Sequence, residues 1–176
     1  SNHWDISQKS AWTFDLKALF LQKIFLEAAC KEFWNRHDKH TPIQIGGLEV
    51  ASIPFISALV MTGEHATGFY IRKSRKKKYD LRQIEGGLRD DVLIVLVDDV
   101  ISSGSSFKKH IIILKERGLT VSSIFTLIRI RNTEKYKDLN GEGVSIEHLF
   151  TMQDFVMPKD ETVHDDSKVR FDLNWY

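Results

Sequence analysis

The 176-residue chain lacks the features that mark several large classes of protein. It has a single cysteine, Cys30, which excludes an intramolecular disulfide framework and is typical of a reducing compartment. It has no apolar run long enough to span a bilayer, and its first residues do not have the layout of a secretory signal peptide. We therefore expect a cytoplasmic protein that does not enter a membrane.

The chain also lacks an excess of charge of one sign. Its 25 Lys and Arg residues nearly balance 24 Asp and Glu residues, which leaves a formal net charge of +1. Such a balance gives no general argument for binding nucleic acid or a membrane surface. The seven histidines show no metal-ligand spacing. The composition, 42% hydrophobic, is that of a globular protein, and the length suits one domain with a substantial core.

Hydrophobic periodicity predicts strands that alternate with helices. Helices are predicted over 15–35, 53–61 and 107–117, and strands over 41–47, 67–73, 92–97, 121–128 and 144–150. The strand over 92–97, "VLIVLV", is uninterrupted and apolar, which is typical of a strand buried on both faces of a parallel sheet. The predicted fold class is therefore α/β, with a central, mostly parallel, Rossmann-like sheet flanked by helices.

An acidic pair and a serine-rich loop follow this strand directly. Asp98 and Asp99 come next, and the loop over 101–106 leads into the third predicted helix. A helix start attracts phosphate through its unpaired N–H groups, and ligands of parallel sheets bind at the carboxyl ends of strands. The donors of this loop are Ser102, Ser103, Gly104, Ser105 and Ser106. Carboxylates beside a phosphate cradle suit a ligand such as ribose 5-phosphate, whereas the alternative is a plain serine turn that caps the helix.

The stretch "VLIVLVDDVISSGSS" resembles the motif for phosphoribosyl diphosphate (PRPP) in type I phosphoribosyltransferases. That motif is an apolar strand, two acidic residues, two apolar residues and a Ser/Thr/Gly loop. The resemblance implies that Asp98 and Asp99 bind the ribose hydroxyls and that the loop over 102–106 binds the 5-phosphate. It also implies Mg²⁺ as cofactor, held through PRPP and the carboxylates of Asp98 and Asp99 rather than in a protein cage.

A basic stretch is the second informative segment. Six of the seven residues over 72–78 are basic, and "IEGG" follows at 84–87. The spacing resembles the mobile catalytic loop of orotate phosphoribosyltransferases, so Lys73 and Lys76 are expected to be catalytic and Arg72 and Lys78 to bind the diphosphate. Lys78 stands where that subfamily has His. The alternatives are a solvated basic loop or a nucleic-acid-binding patch.

The segment "GGLEVASIP" resembles the diphosphate-binding turn of the same family. Gly47, Ile53 and Pro54 match its outline, and Val50, Ala51 and Ser52 are the expected diphosphate contacts. Its alternative is an ordinary strand-to-helix turn.

The base-binding half departs from the orotate pattern. The lysine that recognises orotate falls on Asp5, and the subfamily's Asp-Arg pair falls on Arg129 and Ile130. A site for a carboxylated pyrimidine loses selectivity without these charges, so we expect a base other than orotate. The candidates for contacting the base are Trp12, Phe14 and Arg129.

The resemblance implies one phosphoribosyltransferase domain over 1–176 and a homodimer. We expect a reduced N-terminal hood over 1–40, a PRPP-binding core over 41–156 and a tail over 157–176. The predicted activity is transfer of 5-phosphoribose to a nucleobase with release of diphosphate. A PRPP- or nucleotide-sensing regulatory protein of the same fold is the alternative. Lys73 and Lys76 favour the enzyme, because a sensor needs no cations for a transition state.

Overall fold

The computed structural model describes residue 16 and residues 18–73 and 83–155. In this part of the chain six strands form one sheet: β1 (Ile43–Leu48), β2 (Ala66–Ile71), β3 (Ile84–Gly86), β4 (Ile94–Ile101), β5 (Val121–Arg129) and β6 (Ser145–Thr151). Four α-helices accompany them: α1 (Lys23–Trp34), α2 (Ile53–Thr62), α3 (Ser105–Lys115) and α4 (Lys137–Gly141). Short 3-10 turns cover Leu19–Leu21, Thr133–Tyr136 and Met152–Asp154.

The sheet order is β3-β2-β1-β4-β5-β6. All neighbouring strands run parallel except β3, which is antiparallel to β2 at one edge. The predicted α/β class with a mostly parallel sheet is confirmed. The edge strand β3 was not predicted, because three residues are too few to show a periodicity.

Helices cover both faces of the sheet. One buried cluster joins α1 and α2 to the sheet and includes Phe33, Phe55 and Phe125. The other joins α3 and α4 to the opposite face and includes Ile111 and Leu139. Burial on both faces explains the unbroken apolar run at the start of β4, which carries no polar residue from Ile94 to Val97.

Two predicted boundaries were wrong by more than two residues. The first helix begins at Lys23, because Gln22 has extended backbone angles (φ −104°, ψ 124°) that separate α1 from the preceding 3-10 turn. Strand β4 continues to Ile101 rather than ending at Val97, because β5 extends alongside it and pairs with it as far as Arg129. The acidic pair therefore belongs to the strand. No helix in the described ranges is both long enough and apolar enough to cross a bilayer.

Candidate functional site

The candidate site lies where the carboxyl ends of β1 and β4 meet. These two strands are adjacent and parallel, with Gly47 opposite Val97. From β1 the chain continues through α2 to β2 on one side, and from β4 it continues through α3 to β5 on the other. The strand order reverses at this point, and a crevice at such a reversal is the usual ligand site of an open α/β sheet.

The loop over 102–106, here called the serine loop, follows β4 and lines a cavity of about 140 Å³ together with Asp98. Gly104 has a φ of +74°, in the left-handed region, and turns the chain into α3. The hydroxyls of Ser103 and Ser105 lie 2.9 Å apart, and the Ser105 N–H donates to Ser103 Oγ at 3.3 Å. Exposed hydroxyls and the first N–H groups of α3 thus surround one space, as an anion site requires.

Tyr136 stabilises the serine loop through hydrogen bonds to its backbone. The residue is 1% exposed, and its hydroxyl donates to the carbonyl oxygens of Ser102 (2.7 Å) and Ile101 (3.2 Å). Gly104 packs on the same ring: a Cβ on Gly104 would lie 3.3 Å from Tyr136 Cδ1 and 2.9 Å from Leu139 Cδ1. Sequence reasoning missed Tyr136. The one available signal was an aromatic residue three positions before Leu139, inside an otherwise charged segment.

The acidic pair is electrostatically unusual. Burial, reinforced by the charge of Asp99, raises the pKa of Asp98 to about 7. The Asp99 N–H donates to Asp98 Oδ1 at 3.0 Å and, like the positive charge of Lys73, acts in the opposite direction. Two adjacent carboxyl groups, one of them largely buried, repel each other until hydroxyl donors or a cation stabilise their charged forms. The pair is therefore suited to a ligand that brings such groups.

The turn after β1 lies beside the end of β4. Gly47 is required there, because a Cβ would lie 2.4 Å from Ser52 Oγ and 2.6 Å from the Val97 carbonyl oxygen. Ser52 is fully buried and donates to the Leu48 carbonyl oxygen at 2.6 Å, so its hydroxyl is already engaged. Val50, by contrast, is 71% exposed at the tip of the turn, where the Glu49–Val50 peptide bond is cis.

Lys73 connects this turn to the acidic pair. Its backbone N–H donates to Glu49 Oε1 at 2.8 Å, which fastens the end of β2 to the turn after β1. Its side-chain charge acts on the pKa of Asp98. The Nη1 of Arg72 donates to Glu85 Oε1 at 3.1 Å. Glu49 is a second residue that sequence reasoning missed, since nothing in the pattern set it apart from the surrounding turn.

The structure brings together Asp98, the serine loop, the turn over 50–52, and Lys73. Of the residues predicted to contact the nucleobase, Arg129 is the one that lies in the described ranges. Its Nη1 donates to Thr133 Oγ1 at 2.6 Å. The other predicted site residues, Trp12, Phe14, Lys76 and Lys78, lie outside the described residues. Their roles stay predictions.

Comparisons with known proteins agree with this geometry. The chain is 32% identical over 120 residues to the orotate phosphoribosyltransferase of a Bradyrhizobium species, and the match covers 64% of each chain. The chain thus spans less than two thirds of that relative's length. It is 27% identical over 148 residues to the orotate phosphoribosyltransferase of Aquifex aeolicus, covering 82% of this chain and 76% of that protein. No protein-family model matches the chain.

Solved structures show the same fold. Orotate phosphoribosyltransferase of Mycobacterium tuberculosis in complex with PRPP superposes with a TM-score of 0.67 at 20% identity, covering 80% of this chain and 81% of that one. Adenine phosphoribosyltransferase of Leishmania tarentolae gives 0.64 at 14% identity, covering 81% and 77%. The resemblance inferred from the motifs is confirmed: the chain has the type I phosphoribosyltransferase fold, and its curated homologues are orotate phosphoribosyltransferases.

Proposed function

We propose that the protein is a phosphoribosyltransferase that transfers 5-phosphoribose from PRPP to a nucleobase other than orotate. The observation that carries this proposal is the cavity lined by the serine loop and Asp98, at the point where the strand order reverses and the turn after β1 lies next to the end of β4. The serine loop, the acidic pair and the turn after β1 lie at the carboxyl ends of two adjacent strands, and PRPP has three corresponding parts: a 5-phosphate, vicinal hydroxyls and a diphosphate.

The serine loop would hold the 5-phosphate. The N–H groups at the start of α3 and the exposed hydroxyls of Ser102, Ser103, Ser105 and Ser106 are donors, and the helix dipole favours a negative charge there. Asp98 and Asp99 would accept hydrogen bonds from the ribose hydroxyls. Donation from two hydroxyls favours the ionised carboxylates, which offsets the burial that raises the pKa of Asp98.

The diphosphate would lie against the turn over 50–52 and the cations of the basic stretch. As the bond between C1 of the ribose and the diphosphate oxygen breaks, its electron pair stays on the diphosphate and positive charge develops on the sugar. Lys73 would stabilise the departing anion, and Lys76 is predicted to do the same. A nitrogen of the nucleobase then forms the new bond to C1, and the proton on that nitrogen leaves to solvent or to a neighbouring proton acceptor.

The residues of the crevice also fit Mg²⁺. The observation is the repulsion between Asp98 and Asp99, which a divalent cation on the diphosphate and ribose oxygens would relieve. In the described ranges no group of three or more His, Cys, Asp or Glu side chains could form a cage for a metal ion. Asp98 and Asp99 would thus share the ion with PRPP oxygens and water. The cation would neutralise charge on the leaving diphosphate.

A base other than orotate is supported by two departures from the orotate pattern. Asp5 stands at the position of an orotate-binding lysine, and Arg129 is displaced by one position from the expected arginine. Side chains alternate between the faces of a strand, so such a displacement changes the direction in which the guanidinium points. In the structure that group is engaged by Thr133.

The test is to follow diphosphate release from PRPP in the presence of Mg²⁺ across a panel of purines, pyrimidines and orotate. We expect release with at least one base other than orotate and little with orotate. Release with orotate alone would contradict the proposed base. PRPP binding in the micromolar range without consumption of any base would contradict the enzyme and favour a PRPP-sensing protein.

We further propose a cytoplasmic homodimer in which the basic stretch of one subunit reaches the site of the other. The support is the family resemblance of the basic stretch and, for the compartment, the buried free thiol of Cys30. Lys76→Ala and Asp99→Asn proteins should each lack turnover, and mixing the two should restore part of it. If the mixture stays inactive while both variants form mixed dimers, the shared site is excluded.

A further inference from the structure

Strand β6 lies at one edge of the sheet. In the part of the chain that the structure describes it pairs with β5 alone, so the backbone N–H and C=O groups along its outer side have no partner strand. It is seven residues long, and its side chains are exposed or half-buried, whereas those of β5 are mostly buried. A long edge strand of this kind is a ready template for pairing with a further strand.

The opposite edge of the sheet is closed by a short strand of the same chain. There β3, three residues long, pairs antiparallel with β2, so that β2 is not itself an edge. Parallel sheets commonly carry such an antiparallel edge strand. Within the described ranges nothing equivalent pairs with β6. The two edges therefore differ, and the one formed by the longer, parallel strand is open.

The open edge also carries apolar surface. Phe150 is 45% exposed, and its ring centroid lies 6.0 Å from that of Phe155, the last described residue. Ile146 is half-buried and lies four positions earlier, hence on the same face of the strand as Phe150. Opposite residues of antiparallel strands have Cβ atoms about 4.5–5.5 Å apart, so apolar side chains of an added strand would pack beside these two.

The chain contains a segment with the pattern of such a strand. Over 169–175, "VRFDLNW", apolar and polar residues alternate without exception, and the apolar ones are Val169, Phe171, Leu173 and Trp175. Strict alternation over 4–8 residues is typical of a strand with one buried face. The segment lies outside the described residues, and its length of seven residues equals that of β6.

The place where the described chain stops brings this segment within reach of β6. The chain leaves β6 at Thr151 and continues through the turn Met152–Asp154 to Phe155. The 13 residues over 156–168 can span at most about 43 Å, roughly twice the length of a seven-residue strand. They are mostly polar and include Pro158, as is typical of a connecting loop. An antiparallel strand starts where β6 ends, so its connection needs less than this reach.

We propose that the segment over 169–175 docks on the open edge of β6 in its own chain, as an antiparallel seventh strand of the sheet. Its apolar face covers Ile146 and Phe150, and its alternate residues, which are polar, lie on the other face. The docking goes beyond the proposed function, because it requires neither PRPP nor a nucleobase. A second copy of the chain could occupy the same edge, and the experiment distinguishes that case.

The experiment is hydrogen–deuterium exchange of the full chain, with mass spectrometry of the peptides that contain β6. A docked strand protects the outward N–H groups of β6, which an open edge leaves to solvent. Leu173→Asp puts a charge on the apolar face of the segment and should speed exchange in β6 at least about tenfold. Asn174→Asp is the matched control, since it adds the same charge one residue away on the polar face, and it should change exchange less than about twofold.

Exchange in β5 should be unchanged in both variants, because the sheet stays folded. Rapid exchange of the outward N–H groups of β6 in the wild type would overturn the proposal, and so would equal effects of Leu173→Asp and Asn174→Asp. Protection that survives Leu173→Asp would overturn it too, because another strand, such as β6 of a second copy, then covers the edge.

A mixing experiment separates docking within one chain from docking between copies. Isotope-labelled Leu173→Asp protein is refolded with an excess of unlabelled wild type, and exchange is followed in the labelled β6 peptide. We expect the labelled peptide to stay unprotected. Recovered protection would show that the segment pairs with β6 of another copy and would overturn the proposal. PRPP takes no part in this measurement, so failure of the proposed function leaves its result unchanged.

Discussion

Replacement of Asp98 by Asn should stabilise the free protein while abolishing its binding of PRPP. Asn has the shape of a protonated aspartate, and its amide oxygen can still accept the Asp99 N–H that Asp98 Oδ1 accepts at 3.0 Å. What the change removes is a carboxyl group whose ionised form is disfavoured by burial and by the charge of Asp99. The same ionised form is the one that would accept the ribose hydroxyls.

The size of the effect follows from the pKa of Asp98. The interval from its ordinary value of 3.8 to about 7 corresponds to roughly 4 kcal/mol at about 1.4 kcal/mol per pKa unit. In the unfolded chain Asp98 ionises near pH 4, whereas in the folded protein it ionises near pH 7. The wild type therefore loses free energy of unfolding between these values as pH rises, and the Asn variant does not. Solvent at the mouth of the cavity screens the charge, so we expect a gain of about 2–4 kcal/mol at pH 8.

Thermal unfolding at pH 8 and pH 5 measures this gain. For a chain of this length about 3 kcal/mol raises the melting temperature by roughly 6–12 °C. The gain at pH 5 should be less than half as large, because pH 5 lies only part of the way from the pKa of Asp98 in the unfolded chain to its pKa in the folded protein. Asp91→Asn is the matched control: its hydrogen bond with Arg89 lowers the pKa of Asp91, so that variant should show no gain. A gain of equal size at both pH values, or a lower melting temperature of Asp98→Asn at pH 8, would refute the electrostatic reasoning.

Two further predictions concern the support of the serine loop. Tyr136→Phe removes the hydroxyl that donates to the carbonyl oxygens of Ser102 and Ile101. Urea denaturation should show a loss of about 1–3 kcal/mol in the free energy of unfolding, and PRPP binding should weaken. An unchanged urea midpoint would contradict the supporting role. Gly104→Ala places a Cβ 2.9 Å from Leu139 Cδ1 at a φ of +74°, and should lower the free energy of unfolding by at least about 1–3 kcal/mol. Gly118→Ala is also at positive φ, but no atom lies within 4 Å of the added Cβ, so its loss should be smaller.

The sequence predicted the part of the candidate site around the end of β4 because that part is local. The strand, the acidic pair and the serine loop are contiguous, so their order along the chain already fixes their order in space. The turn over 50–52 was predicted for the same reason, since a strand and a helix with Pro54 in its first turn enclose it. A motif can be recognised from consecutive residues, and the fold class follows from the alternation of predicted strands and helices.

The residues that the sequence did not predict act over long separations. Tyr136 supports Ser102 from 34 positions away, and Glu49 holds Lys73 from 24 positions away. Neither shows a periodicity, because each is a single polar contact made by a loop or short turn. The extension of β4 through Asp98 was also missed, since a strand end depends on how far its neighbour β5 continues.

PRPP binding measured by titration calorimetry in Mg²⁺ buffer tests the central claim most directly. The wild type should bind PRPP, and a protein carrying Asp98→Asn and Asp99→Asn should bind it at least about 100-fold more weakly, as expected when two charged acceptors of about 1.5–3 kcal/mol each are removed. Retained folding of the variant is checked by its melting temperature. Unchanged affinity in the folded variant would contradict the assignment of this crevice to PRPP.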